Sequence, residues 1–258
     1  QVLDQAPQVA CLQEVTPALA AALRGFPALL AHYSVSENEI VSYGCLILVH
    51  RSVQPCTFAE LPLPTHMGRT LVMAALPDGL VVATVHLESL DSERMRHRQL
   101  EIIADHLRTR KRAVICGDFN FDATQTFGDW HRASPRYGPK ELENTKMRAT
   151  LMGYDDVWEV VRGPDPGYTF DGETNPRCVR QRAERMRYDR IMVRGLRATA
   201  VALLGEEAID SSGIKPSDHY GLVVDLAATS EAAQGPSSSA NRGEGEQPAA
   251  SAAGDAAQ

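Results

Sequence analysis

The sequence predicts an α+β fold in which two β-sheets pack face to face and helices cover their outer surfaces. Two observations point to this fold: β-type segments outnumber helical segments, and the helical segments lie between them along the chain. The size of the chain is a further observation, because 258 residues of which 43% are hydrophobic can form one large core. We therefore expect one folded domain.

The first elements are predicted from an apolar run, a helix start and a hairpin signal. Val9 to Leu12 indicates a strand that ends in polar residues. Thr16 and Pro17 form an N-cap and a first-turn proline, so an Ala/Leu-rich helix should begin there. The next β-type runs span 43–50, 69–76 and 80–87. Pro77-Asp78-Gly79 joins the last two as a hairpin turn.

The second half of the chain begins with a helix and then returns to strands. Residues 92–112 have apolar side chains at helical spacing, and Ser92 is the expected N-cap. Further strands are predicted over 113–116, 187–193, 199–204 and 220–226. The domain should therefore span 1–226. Residues 227–258 contain few large apolar residues, which predicts a disordered low-complexity tail.

The composition limits the cellular setting. The five cysteines form no CxxC pair, and several lie in apolar strand-like runs. They indicate buried thiols in a reducing compartment, so we expect the nucleus or the cytoplasm. No apolar run approaches the roughly 20 residues that a membrane span needs, so we expect no membrane association.

The net charge of −7 conceals clusters of basic residues at 94–98, 108–112 and 177–190. Such clusters could attract phosphate groups of a nucleic acid. For the first two, the alternative of solvated helix faces is equally well supported, because helices commonly end in Lys and Arg.

Polar side chains lie at the ends of five apolar, strand-like runs. These are Glu14, His86, Asp118 with Asn120, Asp189, and Asp218 with His219. Each has a structural explanation when taken alone, such as a turn, a cap or a satisfied core histidine. If the strand ends share one rim, however, the carboxylates repel one another and need a cation. Hard oxygen ligands without a Cys/His quartet indicate Mg²⁺ or Mn²⁺, and we expect Glu14 to be the direct ligand.

These runs resemble motifs of the endonuclease/exonuclease/phosphatase superfamily, which has the DNase I-like fold. The matching runs, in the order of that family, are QEV at 13–15, His86, GDFN at 117–120, YDR at 188–190 and SDH at 217–219. Within the superfamily, HLES at 86–89 followed by ERM at 93–95 is most similar to the tyrosyl-DNA phosphodiesterase 2 group. The resemblance covers most of 9–226 and implies that 1–226 is a catalytic domain.

The resemblance implies a four-layer α/β/β/α sandwich of two packed mixed β-sheets flanked by helices. In the family, an opening strand with a metal-binding Asn precedes the residue equivalent to Glu14. Only thirteen residues precede Glu14 here. We therefore expect that this chain lacks the first strand of the fold.

The resemblance also implies a role for each residue at the strand ends. Glu14 would bind the metal, with Asp218 in its outer shell. Asp118 and Asn120 would orient and activate the attacking water. His219, held by Asp189, would contact the scissile phosphate. His86 would stabilise charge on the phosphate oxygens.

Three further residues are candidates for substrate binding. Phe170 follows Tyr-Thr where the family has an aromatic residue, so it is either a stacking platform for a nucleobase or a core aromatic. Arg187 and Arg190 flank Asp189 and could reach the DNA backbone, although Arg190 could instead form a structural ion pair.

Two residues depart from the tyrosyl-DNA group. Phe119 replaces a Thr, and Asp122 replaces an Arg that faces phosphate.

The leading hypothesis is a Mg²⁺-dependent phosphodiesterase that hydrolyses 5′-phosphotyrosyl adducts at DNA ends in DNA repair and acts as a monomer. The alternatives on the same scaffold are an RNA 3′-exonuclease, a sphingomyelinase and an inositol phosphatase. A different class, a non-catalytic interaction module, gains support if the Asn-bearing strand is absent from the complete protein.

Overall fold

The computed structural model describes residues 2–178 and 183–229. Its strands are β1 (Val9–Val15), β2 (Tyr33–Val35), β3 (Gly44–His50), β4 (Thr57–Pro62), β5 (Thr70–Ala75), β6 (Val81–His86), β7 (Ala113–Asp118), β8 (Asp155–Asp156), β9 (Phe170–Asp171), β10 (Arg185–Met186), β11 (Asp189–Arg194), β12 (Leu196–Leu204) and β13 (Gly221–Ala228). Its α-helices are α1 (Val2–Gln5), α2 (Pro17–Arg24), α3 (Pro27–Leu30), α4 (Glu93–Leu107), α5 (Glu143–Thr150) and α6 (Val157–Arg162).

One layer of the fold is a six-stranded mixed sheet with the order β4-β5-β6-β7-β11-β8. β6 and β7 are parallel, and the other neighbouring strands are antiparallel. The central strands are buried on both faces, as expected for strands that lie between a second sheet and a helical layer.

The facing layer consists of two antiparallel pieces, β1-β3-β2 and β12-β13. Apolar side chains of β3 pack on β5, while those of β1, β12 and β13 share one cluster with β6, β7 and β11. Both pieces therefore lie over the same face of the six-stranded sheet. The expected second sheet is present, but its two pieces are not hydrogen-bonded into one sheet within the described residues.

Helices form the two outer layers. α2 and α3 cover the outer face of β1-β3-β2, and α4 and α5 cover the outer face of the six-stranded sheet. The predicted α/β/β/α sandwich is therefore confirmed. Among the described residues, none of the helices is long and apolar enough to cross a membrane.

Several predicted helix and strand ends need correction. Thr16 caps α2 as expected, with its hydroxyl 3.2 Å from the N–H of Leu19. Ser92 precedes α4 but its side chain caps nothing, and α4 ends at Leu107 rather than at residue 112. The predicted tail begins too early, because residues 227–228 belong to β13. Residues 230–258, the rest of that predicted tail, lie outside the described residues.

Candidate active site

Three adjacent strands of the six-stranded sheet place His86, Asp118 and Asp189 in a row. β6 and β7 are parallel, so His86 and Asp118 stand opposite each other at their carboxyl ends. β11 runs the other way, so its first residue, Asp189, pairs with Asp118. His219 joins the row through a β-bridge to Phe170. The predicted shared rim exists because the strand directions bring these particular ends together.

β1 brings Glu14 to the same edge. The side-chain amide of Gln13 donates to the hydroxyl of Thr84 in β6 at 2.8 Å, which ties the end of β1 to the strand that carries His86. Glu14 follows at a bulge, where it has a φ of 54° and an exposed side chain. A non-glycine residue in this left-handed region is uncommon and is often found at functional sites. The backbone therefore turns Glu14 towards solvent.

His219 and Asp189 form a partly buried ion pair, with Nδ1 of the histidine 2.7 Å from Oδ2 of the aspartate. Burial acts to lower the pKa of His219, but the charge and hydrogen bond of Asp189 raise that pKa to about 10. Burial acts to raise the pKa of Asp189, but the charge and hydrogen bond of His219 lower it. His219 is therefore a cation at neutral pH, as its predicted contact with phosphate requires.

Among the residues that the structure describes, Asp118 has no such cationic partner in direct contact. Burial raises the pKa of Asp118 to about 7, although the charge of His219 opposes the change. Its Oδ1 accepts from the N–H of Asn120 at 2.7 Å, and the side-chain amide of Asn120 donates to the carbonyl of Leu87 at 2.9 Å. A carboxylate with a pKa close to neutral is suited to accept a proton from water.

His86 is neutral, because burial and then the positive charge of Arg69 lower its pKa to about 3. Its Nε2 lies 3.3 Å from Oδ2 of Asp118, and its Nδ1 lies 3.0 Å from a guanidinium nitrogen of Arg69. The tautomer that satisfies these two contacts carries its proton on Nε2, so the second guanidinium nitrogen of Arg69, 3.1 Å from Nε2, makes no hydrogen bond with that atom. His86 therefore donates to Asp118 and accepts from Arg69.

Arg69 and Tyr43 are site residues that the sequence did not identify. Arg69 is 5% exposed, and its guanidinium stacks over the ring of Tyr43 at 5.2 Å from the ring centre. Together with His86 they line a recess with a volume of about 10 Å³. The chain contains many arginines, and no local pattern distinguishes Arg69, which opens an ordinary β-type run. Only the pairing of β5 with β6 brings it to His86.

The carboxylates fit a divalent cation only in part. Within residues 2–178 and 183–229, no three His, Cys, Asp or Glu side chains already surround a metal position. Glu14 and Asp218 are both exposed at the site's rim and offer oxygen ligands. Mg²⁺ retains several waters and takes few protein ligands in phosphate-processing sites. Glu14 and Asp218 therefore suit Mg²⁺ or Mn²⁺ by the chemistry of their oxygen atoms.

The stacking role predicted for Phe170 is corrected. Its ring is 5% exposed and packs against the rings of Tyr188 and His219, at centre distances of 6.0 and 5.3 Å. A buried ring cannot offer its face to a nucleobase. Phe170 instead supports the imidazole of His219.

The DNA contacts predicted for Arg187 and Arg190 are also wrong. Both side chains are at most 2% exposed, and they bind Asp156 at 2.7 and 3.1 Å. Glu159 pairs with Arg187 at 2.9 Å, and Asn144 accepts from Arg190 at 2.6 Å. Among the described residues the Nε of Arg190 has no hydrogen-bond partner, but the terminal nitrogens of both buried guanidinium groups bind carboxylates, which makes them structural ion pairs.

Asp122 has a structural role as well. It is 3% exposed and accepts hydrogen bonds from the backbone N–H groups of Arg187, Thr124 and Gln125. The carboxylate of Asp122 therefore joins its own turn to the backbone at Arg187. It does not face the substrate in place of a cation.

The sandwich and the row of His86, Asp118, Asp189 and His219 together define a DNase I-like hydrolase of phosphoric esters. The chain belongs to the Endonuclease/Exonuclease/phosphatase family, whose model matches residues 1–219. Members of this family are metal-dependent hydrolases that act on phosphodiester bonds. No sequence among the curated proteins matches the chain.

Three solved structures illustrate the shared fold. TDP2 from D. rerio, complexed with single-strand DNA product, is 22% identical with a TM-score of 0.70, over 88% of each chain. Truncated TDP2 from Caenorhabditis elegans is 22% identical with a TM-score of 0.64, over 86% of this chain and 84% of that one. The 3′-5′ exonuclease NExo from Neisseria meningitidis is 21% identical with a TM-score of 0.59, over 87% and 91%.

Proposed function

We propose that this chain is a tyrosyl-DNA phosphodiesterase 2-like enzyme that hydrolyses 5′-phosphotyrosyl adducts at DNA ends. It acts as a monomer in DNA repair, in the nucleus or the cytoplasm, with Mg²⁺ held by Glu14 and Asp218. The similarity in fold to TDP2, one structure of which is complexed with DNA product, supports the nucleic-acid substrate.

The residues of the site divide the reaction between them. Asp118 takes a proton from the attacking water, which Asn120 helps to orient. Cationic His219, fixed by Asp189, stabilises the charge on the phosphoryl group. A divalent cation, when bound, neutralises further charge on the phosphoryl oxygens. Neutral His86 supplies a polarised N–H beside Asp118.

One observation favours an aromatic leaving group over an alkoxide. Arg69 lies between the ring of Tyr43 and His86, so a guanidinium and an aromatic face border one side of the row. A phenolate, with a pKa of about 10, leaves more readily than an alkoxide and is stabilised by a nearby cation. The recess itself is too small for a ring, so the tyrosyl group would lie across its rim.

The test is a substrate panel with the purified chain and Mg²⁺. We expect release of tyrosine from a 5′-phosphotyrosyl oligonucleotide, with much slower hydrolysis of poly(A), sphingomyelin and inositol phosphates. Asp118→Asn should remove the activity on the preferred substrate. Hydrolysis of poly(A) or lipid without release of tyrosine would favour the exonuclease, sphingomyelinase or phosphatase alternatives. If none of these substrates is hydrolysed, the interaction module becomes the better hypothesis.

A further inference from the structure

A buried carboxylate outside the row of catalytic residues holds the segment that carries Arg69. Glu88 is 1% exposed and follows His86 by two residues. Its Oε2 accepts from the hydroxyl of Thr65 at 2.6 Å, and its Oε1 accepts from the N–H of His66 at 2.9 Å. The side-chain amide of Gln99 in α4 lies 3.4 Å from Oε2 and also donates to the carbonyl of Pro64 at 2.8 Å.

The hydroxyl of Thr65 uses all of its hydrogen-bonding capacity. It gives its one proton to Glu88, and it accepts from the N–H of Met67 at 2.8 Å and of Arg69 at 3.2 Å. A hydroxyl has one donor and two acceptor positions, so none is left. In the short turn from Thr65 to Arg69, the Thr65 hydroxyl, whose orientation Glu88 sets, therefore fixes the N–H groups of Met67 and Arg69, while Glu88 holds the N–H of His66 and the N–H of Leu63 donates to the carbonyl of Arg69 at 3.2 Å.

The side chain of Arg69 depends on this turn for its position. Within the described residues, its Nε is buried without a hydrogen-bond partner. Its terminal nitrogens reach His86 at 3.0 and 3.1 Å and the hydroxyl of Ser89 at 2.8 Å. A small displacement of the backbone at Arg69 would therefore change its contacts with His86 and Tyr43.

We infer that Thr65 and Glu88 are positioning residues, which act through Arg69 to orient His86 for hydrolysis of the phosphodiester. The hydrogen bonds form a continuous chain from α4 to the site, through Gln99, Glu88, Thr65 and Arg69. The inference rests on the proposed phosphodiesterase function, but it concerns a part of the molecule that touches no substrate. Misplacement of a supporting group by about 1 Å is enough to lower catalysis by orders of magnitude.

Substitutions at Thr65 separate positioning from folding. Thr65→Val keeps the shape of the side chain and removes the hydroxyl, so we expect kcat to fall at least about 10-fold. Thr65→Ser restores the hydroxyl and should restore kcat to within about 2-fold. Thr145→Val is the matched control, because the Thr145 hydroxyl donates only to the carbonyl of Pro139 in an exposed part of α5. It should leave kcat unchanged.

A double-mutant cycle tests whether Thr65 acts through Arg69. In an Arg69→Met background, Thr65→Val should lower kcat by less than about 2-fold, since the group that it positions is already gone. The inference would be overturned if Thr65→Val lowered kcat by the same factor in both backgrounds. It would also be overturned if the wild-type enzyme were active and the single variant Thr65→Val had the same kcat. Glu88→Gln should resemble Thr65→Val, because the amide no longer ensures an acceptor for the Thr65 proton.

A structural measurement keeps this test independent of the proposed function. We expect the crystal structure of Thr65→Val to show the Arg69 guanidinium moved away from Nδ1 of His86. The backbone N–H of Arg69 should also exchange with solvent faster than in the wild type. If the guanidinium remains within hydrogen-bonding distance of His86 and exchange is unchanged, the inference fails, whatever substrate the enzyme proves to cleave.

Discussion

At the scale of single residues, the site contains two neighbouring carboxylates whose pKa values shift in opposite directions. Asp189 binds His219 directly and is ionised. Within residues 2–178 and 183–229, Asp118 has no cation in direct contact, and burial raises its pKa to about 7. When only one of two adjacent carboxylates has a cationic partner, the pKa of that carboxylate falls and the pKa of the other rises. This asymmetry assigns them different tasks, with Asp118 as the base and Asp189 as the support of His219.

Asp118→Asn should stabilise the protein and inactivate it. The folded carboxyl keeps its proton up to about pH 7, whereas the unfolded one loses it near pH 3.8, so stability falls as the pH rises between these values. Removal of the charge should therefore raise the free energy of unfolding by roughly 1–3 kcal/mol at pH 8 and change it little at pH 4.

Thermal unfolding at the two pH values measures this effect, and kcat should fall at least about 100-fold. Asp225→Asn, at an exposed position of β13, is the control and should change neither quantity. Equal unfolding temperatures for Asp118→Asn and the wild type at pH 8 would show that the ionised Asp118 carboxylate does not destabilise the folded protein.

At the scale of elements, the site depends on the close approach of β6 and β7 at their carboxyl ends. Gly117, which precedes Asp118, has a φ of 128°, and a Cβ placed on it would lie 2.0 Å from the carbonyl oxygen of Val85. No side chain fits at this distance. The glycine therefore allows β7 to bring Asp118 level with His86.

Gly117→Ala should lower the free energy of unfolding by more than about 3 kcal/mol, because overlap with the backbone adds to an unfavourable φ. Gly79→Ala is the matched control: Gly79 also has a positive φ, of 82°, but a Cβ there meets nothing within 4 Å. It should cost only about 1 kcal/mol. Chemical denaturation of both variants gives the comparison, and equal losses would show that the contact with Val85 can relax.

A second element-scale feature is the buried ion cluster that joins β11 to α5 and β8. Arg190→Lys should lower the free energy of unfolding by about 3 kcal/mol, since lysine cannot reach Asp156, Asn144 and the carbonyl of Phe121 together. The KM for a DNA substrate should stay the same below the unfolding transition, as should its salt dependence. A direct contact with the DNA backbone would instead raise KM and weaken the salt dependence.

At the scale of the whole molecule, the site forms where the two sheet layers meet. β1 contributes Glu14 from one layer, and β6, β7 and β11 contribute His86, Asp118 and Asp189 from the other. A ligand that binds residues of both layers stabilises the native state, because the unfolded chain offers no such site.

Mg²⁺ should therefore raise the unfolding temperature, by an amount equivalent to about 2.7 kcal/mol when its concentration is 100 times its Kd. Glu14→Gln should lose most of this increase, whereas Glu60→Gln, at an exposed position of the edge strand β4, should keep it. Calorimetric scans with and without Mg²⁺ and chelator measure the effect. An increase that persists in Glu14→Gln would place the metal on other ligands.

The family, the polar residues at the strand ends and the strands β1, β3, β5, β6, β7, β11, β12 and β13 could be predicted from local sequence patterns, whereas β2, β4, β8, β9 and β10 were missed. These features are local, because an apolar run followed by Glu14, His86 or Asp118 predicts a strand with a polar end whichever strands lie beside it in the fold. Once the directions of the strands are set, the polar residues at these strand ends lie together at one rim of the sheet.

Which arginines belong to the site could not be predicted from local sequence and depends on the folded structure. Arg187 and Arg190 are next to Asp189 in the chain, yet Asp156 and Asn144, from distant segments, neutralise and bury them. Arg69 is distant from every motif, yet strand pairing and the hydroxyl of Thr65 bring it to His86. Whether a long cationic side chain faces substrate or core depends on which partners the fold brings to it, and those partners lie outside any local pattern.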